Sequence, residues 1–360
     1  MKICFYSPYV PKHTGGGEKY FFDAARILAE DHEVFVGISE EDFDERKIRE
    51  KYQHFLDTSL EKIRFISTPL GTSKSFLEKI LWTSKFQVMY HTTDGSLFFS
   101  LAGKNILHIQ VPFTDSKTSF VERMKLMNWG VKNANSQFTQ KVVSKAWQTS
   151  VPFVHYPMIE AAKKSAPKEK IILNVGRFFR QLHSKRQDVL VHIFQELRKK
   201  HSHEMHDWKL VLIGGVEDQS YAQEVMRAAA GAPVEILHHV DRNELNDWYA
   251  RASIYWHATG FEVDEEKHPE KVEHFGISTA EAMTYGCVPI VVGKGGQKEV
   301  AGGELQKFLW QTKIECMEKT LPFLQNPELV RRTGQSAKEY AQKFSEASFA
   351  VMLKKMIGAS

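Results

Sequence analysis

Short apolar runs alternate with segments of helical periodicity over the first half of the chain. The apolar runs have the length of buried strands, and a segment near Glu18–Ala29 has helical spacing. Asn135 and Ser136 are both suited to cap a further helix. Five strands are predicted in this half, at Ile3–Tyr6, Glu33–Gly37, Ile63–Ser67, Phe86–His91 and Ile106–Val111. This alternation predicts a largely parallel sheet with helices on its faces.

A second alternating series follows a polar, proline-bearing segment at residues 161–170, which is typical of an interdomain linker. Helices are predicted near Gln187–Lys199 and Ser220–Ala229. The predicted strands are Ile171–Val175, Lys209–Ile213, Val234–Leu237 and Ile254–His257. We therefore predict an α/β protein with two domains, residues 1–160 and residues 161–339, followed by a last helix at about 340–360.

Two further segments, Ser73–Phe86 and Phe120–Lys132, carry an apolar stripe at helical spacing beside basic residues. The apolar residues are Phe76, Leu77, Ile80, Leu81, Phe120, Met124 and Met127. Amphipathic helices ordinarily bury such a stripe, so packing against the core is the first expectation. Contact with a membrane or with a lipid-bearing ligand is the alternative.

Composition narrows the class of protein. A chain of 360 residues fits two domains, and its 42% hydrophobic and 26% charged residues are those of a globular protein. The net charge of +4 is spread evenly between the two halves, which argues against a nucleic-acid partner. Cys4, Cys287 and Cys316 lie far apart and are expected to be buried free thiols, as in a reducing compartment.

The cellular location of the protein is predicted from the length of its apolar runs. No run approaches the 18 or so apolar residues of a membrane span. The chain begins with a strand pattern and without the longer apolar region of a signal peptide. We therefore expect a cytoplasmic protein, with a peripheral contact to the inner face of a membrane left open.

Two carboxylates lie eight positions apart in the segment Glu273–Glu281, across a predicted junction between a loop and a helix. Eight helical residues span roughly 12 Å, which suits a grip on two ends of an extended ligand better than a shared metal. Gly276 would let the backbone approach that ligand, and a helix at Ile277–Thr284 would turn its free amides toward a diphosphate. An exposed acidic loop before a surface helix is the plainer alternative.

Two glycine-rich turns could also bring backbone amides to an anion. Gly15, Gly16 and Gly17 lie between the first strand and the first helix. Gly295 and Gly296 follow the run Gly286–Val292, in which a helix is expected to end near Gly286 and a short buried strand to follow. The first of these turns lies too far beyond its strand and does not match G-x-G-x-x-G, so a nicotinamide cofactor is not expected.

Arg177 and Lys185 are the candidate cations for a diphosphate. Arg177 comes directly after the strand Ile171–Val175, and Lys185 stands at the start of the next helix. A guanidinium can contact phosphate with two hydrogen bonds, and an ammonium acts as a point charge. A solvated basic turn is the alternative interpretation.

Few of the histidines are candidates for a catalytic or metal-binding role. His108 lies in a strand before Pro112 and is the modest candidate for a catalytic base, although a lone strand histidine is more often a core residue. The cluster His201, His203 and His206 lacks the spacing of a zinc site and is expected to be a solvated loop. The acidic stretch Phe261–Val272 is expected to form a mobile rim.

The sequence EHFGISTAEAMTYGCVPIVVGKGGQKEVAGG resembles the donor-site signature of the retaining family 4 glycosyltransferases. The resemblance implies a GT-B fold, in which two Rossmann-like domains face each other across a cleft. It also implies that the last helix returns to the first domain, here through Phe344, Phe349 and Met352.

The resemblance also implies roles for the residues. Glu281 would bind the ribose hydroxyls, Glu273 would contact the donor sugar, and Arg177 and Lys185 would stabilise the leaving diphosphate. The remaining donor-binding positions would be Gly15, Gly16, Gly17, Phe275, Gly276, Ile277, Gly295 and Gly296. The donor would be a UDP- or GDP-linked sugar, with no metal and no other cofactor.

We therefore predict a retaining glycosyltransferase that moves a sugar from a nucleotide diphosphate donor to an acceptor hydroxyl. A glycan or a lipid-linked acceptor is expected, in the assembly of a glycan, polysaccharide or glycolipid. Two alternatives stay open. One is a catalytically silent subunit that only binds the sugar nucleotide, and the other is a sugar-nucleotide epimerase of similar fold.

Overall fold

The computed structural model describes residues 1–181 and 183–358. Its packing divides the chain into two units. The first unit contains Met1–Met158 and the C-terminal segment Glu346–Ser360, and the second contains Ile159–Ser345. The domain boundaries at residues 160 and 339 stay a prediction, and Ala359 and Ser360 of the predicted last helix lie outside the described residues.

A sheet of seven parallel strands forms the centre of the first unit, in the order β3-β2-β1-β4-β5-β6-β7. The strands are β1 (Lys2–Tyr6), β2 (Glu33–Ser39), β3 (Ile63–Thr68), β4 (Val88–Thr93), β5 (Lys104–Ile109), β6 (Val131–Ala134) and β7 (Phe153–Val154). The helices are α1 (Gly16–Leu28), α2 (Glu45–Leu56), α3 (Phe76–Thr83), α4 (Phe120–Asn128), α5 (Gln137–Ala146) and the C-terminal α13 (Glu346–Ile357).

The second unit repeats the arrangement with six parallel strands, in the order β10-β9-β8-β11-β12-β13. The strands are β8 (Glu169–Val175), β9 (Lys209–Ile213), β10 (Val234–Leu237), β11 (Ala252–His257), β12 (Val288–Val292) and β13 (Leu309–Trp310). The helices are α6 (Gln187–Lys200), α7 (Gln219–Ala229), α8 (Arg242–Arg251), α9 (Ile277–Thr284), α10 (Gln297–Val300), α11 (Lys313–Leu324) and α12 (Pro327–Ala341).

Each sheet reverses its strand order once, between β1 and β4 in the first unit and between β8 and β11 in the second. Open parallel sheets of this kind bind ligands beyond the carboxyl ends of the strands at such a reversal. The ends of β8 and β11 are therefore where side chains of the second unit can converge on a ligand. The α/β class predicted from the sequence is confirmed, as two Rossmann-like units.

Two apolar clusters cover the faces of the first sheet. One contains residues of α1 and α13, and the other contains Trp82 of α3 and Leu126 of α4. Phe349 is buried in the first cluster and Met352 packs against it, and α13 is part of the first unit. The expectation for Phe344 is wrong, because its ring packs edge-on against Phe275 of the second unit, with centroids 5.1 Å apart.

Core packing of the two apolar stripes is the main expectation that the structure overturns. The exposed fraction is 62% for Phe76, 79% for Phe120 and 80% for Met127. Both helices bury a different side, through Trp82 and Leu126. A helix of eight or nine residues has room for two apolar sides, and the spacing of the stripe alone does not tell which one faces the sheet.

The structure also bears on two smaller expectations. The three cysteines are free and buried, as predicted. The stretch Phe261–Val272 contacts the turn after β12 at two points, since Lys294 donates to the Val263 carbonyl and the Gly295 amide donates to Glu265, and its mobility stays a prediction. Within residues 1–181 and 183–358, no helix combines the length and the apolar character that crossing a membrane requires.

Candidate functional site

The segment Glu273–Glu281 lies beside the carboxyl end of β11 and leads into α9. Gly276 caps this helix with φ of 119°, a left-handed conformation that favours glycine. A side chain there would also meet the Gln297 amide, 2.7 Å from the position of its β carbon. The first turn of a helix leaves amide groups without intrahelical partners, so α9 begins with donors suited to an anion.

Glu273 accepts two hydrogen bonds at one carboxylate oxygen. Lys185 Nζ lies 2.5 Å from Oε2, and His257 Nε2 lies 3.0 Å from the same atom. Lys185 and Glu273 each keep only 16% of the side chain exposed, and His257 is fully buried. Because an ionised carboxylate can only accept, His257 carries its proton on Nε2 and donates it.

Burial alone would raise the pKa of Glu273. The charge of Lys185 and the hydrogen bond from His257 outweigh that effect and hold the pKa well below its usual range. Burial lowers the pKa of His257, and the bond to Glu273 only partly opposes this. At neutral pH, Glu273 is therefore a carboxylate and His257 a neutral imidazole.

Lys185 reaches Glu273 because the turn after β8 leaves space for its chain. A β carbon at Gly176 would lie 2.6 Å from Lys185 Cγ, so no larger residue fits at position 176 without displacing the lysine. Gln187 fixes the same turn, donating to the carbonyls of Gly176 at 3.0 Å and Arg177 at 3.2 Å. The buried Gln187 accepts in turn from Tyr221 at 3.1 Å.

Arg177 pairs with a different carboxylate. Its Nη1 lies 2.9 Å and 3.0 Å from the two oxygens of Glu217, and both side chains are about half exposed. Burial lowers the pKa of His183. The charges of Lys185, Glu273 and Arg177 also influence this pKa, because all three lie near the His183 ring. Arg177 therefore lies in the same electrostatic neighbourhood as Glu273 without contacting it in the described structure.

Glu281, at the other end of the segment, is held by α8. Arg242 Nη1 donates to Oε1 at 3.0 Å, and the Tyr249 hydroxyl donates to Oε2 at 3.1 Å. The charge of Glu281 raises the pKa of Arg242. The Tyr285 ring stacks on Tyr249 with centroids 5.6 Å apart, and a cavity beside Glu281 is lined by both rings and by Lys163.

The other residues predicted for the donor are already engaged. A β carbon at Gly295 would lie 2.2 Å from the Glu273 carbonyl, and one at Gly296 would lie 2.4 Å from the His274 carbonyl. The Gly296 amide donates to the Glu273 carbonyl at 2.8 Å. Phe275 is buried and Ile277 is half-buried. These glycines bring the turn against residues 273–275, and their contact with a donor stays a prediction.

The first unit holds the remaining candidates. Gly15 is the N-terminal cap of α1, which begins at Gly16, and a β carbon at Gly17 would lie 2.6 Å from the Gln110 side chain. Close packing against Gln110 thus explains why position 17 is a glycine. The binding of phosphate by this turn stays a prediction.

His108 lies inside the core of the first unit. Its ring is fully buried and stacks on Tyr20 with centroids 3.6 Å apart, and Nδ1 lies 2.5 Å from Asn133 Oδ1. Burial holds the pKa of His108 well below its usual range. A ring without exposed surface cannot meet an acceptor hydroxyl in this conformation, so the observed environment disfavours the predicted role as a base.

Sequence reasoning did not assign His257, Arg242 or Tyr249 to the site. His257 carried a usable signal, because it is a polar residue at the carboxyl end of a predicted strand. Arg242 and Tyr249 carried none, since they lie on an ordinary surface helix that only the fold brings beside Glu281.

Comparison with known proteins identifies the class. The sequence profile of the family described as "Glycosyl transferases group 1" matches residues 157–340. The fold is similar to the crystal structure of TarM, with a TM-score of 0.74 and 11% identity over 99% of this chain and 98% of that one. It is also similar to WaaG, described as a glycosyltransferase involved in lipopolysaccharide biosynthesis, with a TM-score of 0.60 and 15% identity over the full length of both chains.

The fold is therefore GT-B, and the chain belongs to the group 1 glycosyltransferases. Two relatives carry the name GDP-Man:Man(3)GlcNAc(2)-PP-Dol alpha-1,2-mannosyltransferase. The protein from Dictyostelium discoideum is 26% identical over 57% of this chain, and the one from Neurospora crassa is 29% identical over 51%. The matches cover 42% and 32% of the relatives' own lengths, so this chain aligns with less than half of each.

Proposed function

We propose that this chain transfers a sugar from a nucleoside diphosphate donor to an acceptor hydroxyl. The observation that carries the proposal is the pair of carboxylates at the two ends of Glu273–Glu281, each fixed by its own cation. The amino end of α9 lies between them in the sequence. An extended ligand with a sugar at one end, a ribose at the other and a diphosphate between them matches that order of groups.

The proposed roles follow from charge. Glu281 accepts hydrogen bonds from the ribose hydroxyls, and Glu273 accepts from a hydroxyl of the donor sugar. The hydrogen bonds from Lys185 and His257 to Glu273 both use Oε2, and we assign Oε1 as the acceptor for the sugar. Lys185 and Arg177 stabilise the charge that grows on the leaving diphosphate, an electrostatic effect that is often the largest contribution to catalysis.

We further propose that the reaction retains the anomeric configuration and needs no metal, as in family 4. The bond from the anomeric carbon to the phosphate oxygen breaks, and a bond to the acceptor oxygen forms on the same face. The acceptor proton passes to the leaving phosphate. This route requires no enzymic base, which is consistent with the burial of His108. The cations Lys185 and Arg177 take the place of a divalent ion.

The names of the relatives suggest the substrate class. Both are named for a GDP-linked mannose donor and an acceptor that ends in PP-Dol. We propose a GDP-linked hexose as the first donor to test, a UDP-linked sugar as the second, and a lipid-linked glycan as the acceptor. The protein would then work in the cytoplasm at the surface of a membrane.

Thermal unfolding with nucleotides tests the proposal. We expect one of GDP, UDP, ADP and dTDP to stabilise the protein, by about 2.7 kcal/mol at a concentration about 100-fold above its Kd. The matching sugar nucleotide should then be turned over in the presence of EDTA. Binding without turnover would indicate a silent subunit, and isomerisation of the donor without an acceptor would indicate an epimerase. Activity lost to EDTA and restored by manganese would contradict the metal-free proposal.

The anomeric configuration of the product is the second test. An α-linked donor should give an α-linked product, because the leaving phosphate rather than a group on the opposite face accepts the proton. The anomeric signal in the proton NMR spectrum of the first product decides the matter. A β-linked product would contradict the retaining mechanism while leaving the donor-site proposal intact.

A further inference from the structure

Large apolar side chains are concentrated on one part of the first unit. Eight of the fourteen that are exposed in the described residues lie on α3, on α4 or in the loop before β5. We call them the α3/α4 apolar face: Phe76, Leu77, Leu81, Leu101, Phe120, Val121, Met124 and Met127. Their exposed fractions range from 44% for Met124 to 80% for Met127. Concentrated exposure of this kind marks an interaction surface.

The two helices belong to one layer of the fold. Trp82 on α3 and Leu126 on α4 are buried in the same apolar cluster, on the same side of the first sheet. The loop at residues 98–101 connects them. The Leu101 amide donates to Thr83 Oγ1 at 2.9 Å, and the Ser100 amide donates to Asn128 Oδ1 at 2.8 Å. The exposed residues of both helices are therefore parts of one surface region.

Basic residues accompany the apolar face. Residues 73–85 and 117–128 contain six cations, Lys74, Lys79, Lys85, Lys117, Arg123 and Lys125, against the two carboxylates Glu78 and Glu122. Each carboxylate accepts from the serine that caps its own helix. Two of the cations also pair outside these segments, Lys74 with Glu40 at 3.7 Å and Lys117 with Asp115 at 2.5 Å. The region remains basic after these pairs are counted.

A second copy of the chain fits this face poorly. A symmetric dimer would place the same patch on both sides, so the cations of one copy would face those of the other. An anionic membrane has both properties that complement this face, an apolar acyl boundary and negatively charged headgroups. Its acyl boundary accepts Phe, Leu and Met side chains, and its headgroups attract lysines whose stems can lie along the apolar surface.

We propose that the α3/α4 apolar face docks the protein on the surface of an anionic membrane. This deepens the proposed function by assigning the surface on which a lipid-linked acceptor would be met. Two short amphipathic helices would lie in the headgroup region, and no part of them would cross the bilayer.

Sedimentation with vesicles tests the proposal on the full chain. Vesicles of phosphatidylcholine are compared with vesicles that contain about one third phosphatidylglycerol. The wild-type protein should bind the anionic vesicles, and binding should weaken as salt is raised. Replacing both residues in Phe120→Gln/Met127→Gln should weaken binding about tenfold or more, because two exposed apolar anchors are lost.

Matched control variants test whether vesicle binding depends on the α3/α4 apolar face or on exposed apolar residues in general. Met226→Gln/Ile314→Gln replaces two apolar side chains of the second unit that are 52% and 60% exposed. This variant should bind the vesicles like the wild type. Lys85→Gln and Lys125→Gln should each weaken binding to anionic vesicles about fivefold, and should not affect neutral ones. Unfolding temperatures close to the wild type would show that each variant is folded.

Three results would overturn the proposal. They are no binding of the wild type to anionic vesicles, equal binding of Phe120→Gln/Met127→Gln, and a dimer in solution that this variant abolishes while vesicle binding persists.

Nucleotide affinity, measured by calorimetry on the same proteins, distinguishes failure of the membrane proposal from failure of the donor-site proposal. Intact nucleotide binding without vesicle binding removes only the membrane proposal, whereas vesicle binding without any nucleotide binding removes only the donor proposal.

Discussion

Lys185→Met should reduce turnover about 100- to 1,000-fold, the usual effect of removing one group that stabilises charge in a transition state. In the proposed reaction, negative charge grows on the diphosphate as the sugar leaves, and Lys185 is the less exposed of the two cations assigned to it. Steady-state kinetics should show the loss mainly in kcat, since the interaction strengthens in the transition state. Unchanged turnover in a folded Lys185→Met protein would remove this assignment.

The same substitution should also destabilise the fold, because it leaves Glu273 with only His257 as a partner. We expect a cost of about 3 kcal/mol, near the lower end of the range for breaking a buried ion pair. Lys185→Met/Glu273→Gln should recover most of that stability, since no buried charge is left unpaired, and should stay inactive. Lys170→Met is the matched control, because its pair with Asp207 is more than half exposed on both sides and should contribute little.

The pH dependence of stability provides a further check on the pair. The pKa of Glu273 in the folded protein lies below its ordinary value of 4.5. Its contribution to stability is therefore present above that value and is lost as the pH falls through the folded pKa. Chemical denaturation across this range should show that loss in the wild type and a smaller one in Lys185→Met/Glu273→Gln.

Glu281→Gln should weaken the binding of the nucleoside diphosphate by about 1.5–3 kcal/mol, or roughly 10- to 150-fold. The substitution removes the charged acceptor proposed for the ribose hydroxyls and keeps the size of the side chain. Calorimetry with the nucleotide chosen by the thermal screen measures the effect. Glu328→Gln, on the surface of α12, should bind like the wild type.

Arg242→Gln distinguishes two explanations of that result. If Glu281 serves only to hold Arg242 in place, both substitutions should weaken nucleotide binding equally. If Glu281 contacts the ribose, as proposed, Arg242→Gln should have the smaller effect. An unchanged affinity in folded Glu281→Gln would contradict the ribose assignment.

Local pattern predicted most of the sheet elements because buried parallel strands carry uninterrupted apolar runs. Lys209–Ile213 and Val234–Leu237 have the predicted bounds, as does the helix Ile277–Thr284. The two-residue strands Phe153–Val154 and Leu309–Trp310 were not predicted, since so short a run has no periodicity. Helix α2 was missed because it buries only Ile48 and Tyr52 and otherwise has a polar sequence.

The site itself could be predicted only in part. The spacing of Glu273 and Glu281 and the positions of Arg177 and Lys185 were visible as local motifs, while the partner of each is distant in sequence. Lys185 meets Glu273 across 88 residues, and Arg242 meets Glu281 across 39. Such pairs depend on the strand order of the sheet. Likewise, the side of α3 and α4 that faces the core is set by the position of Trp82 and Leu126 against the sheet rather than by hydrophobicity alone.

Three ion pairs described for the proposed donor site have a consequence for competition among anions. Arg177, Lys185 and Arg242 are each already neutralised by a glutamate. In the proposed donor site an incoming anion therefore competes with these carboxylates for the cations, and inorganic phosphate has no sugar or ribose hydroxyl to donate to the glutamates. A sugar nucleotide can satisfy both members of a pair at once. We therefore expect the proposed site to bind a sugar nucleotide in preference to inorganic phosphate, without excluding phosphate by size.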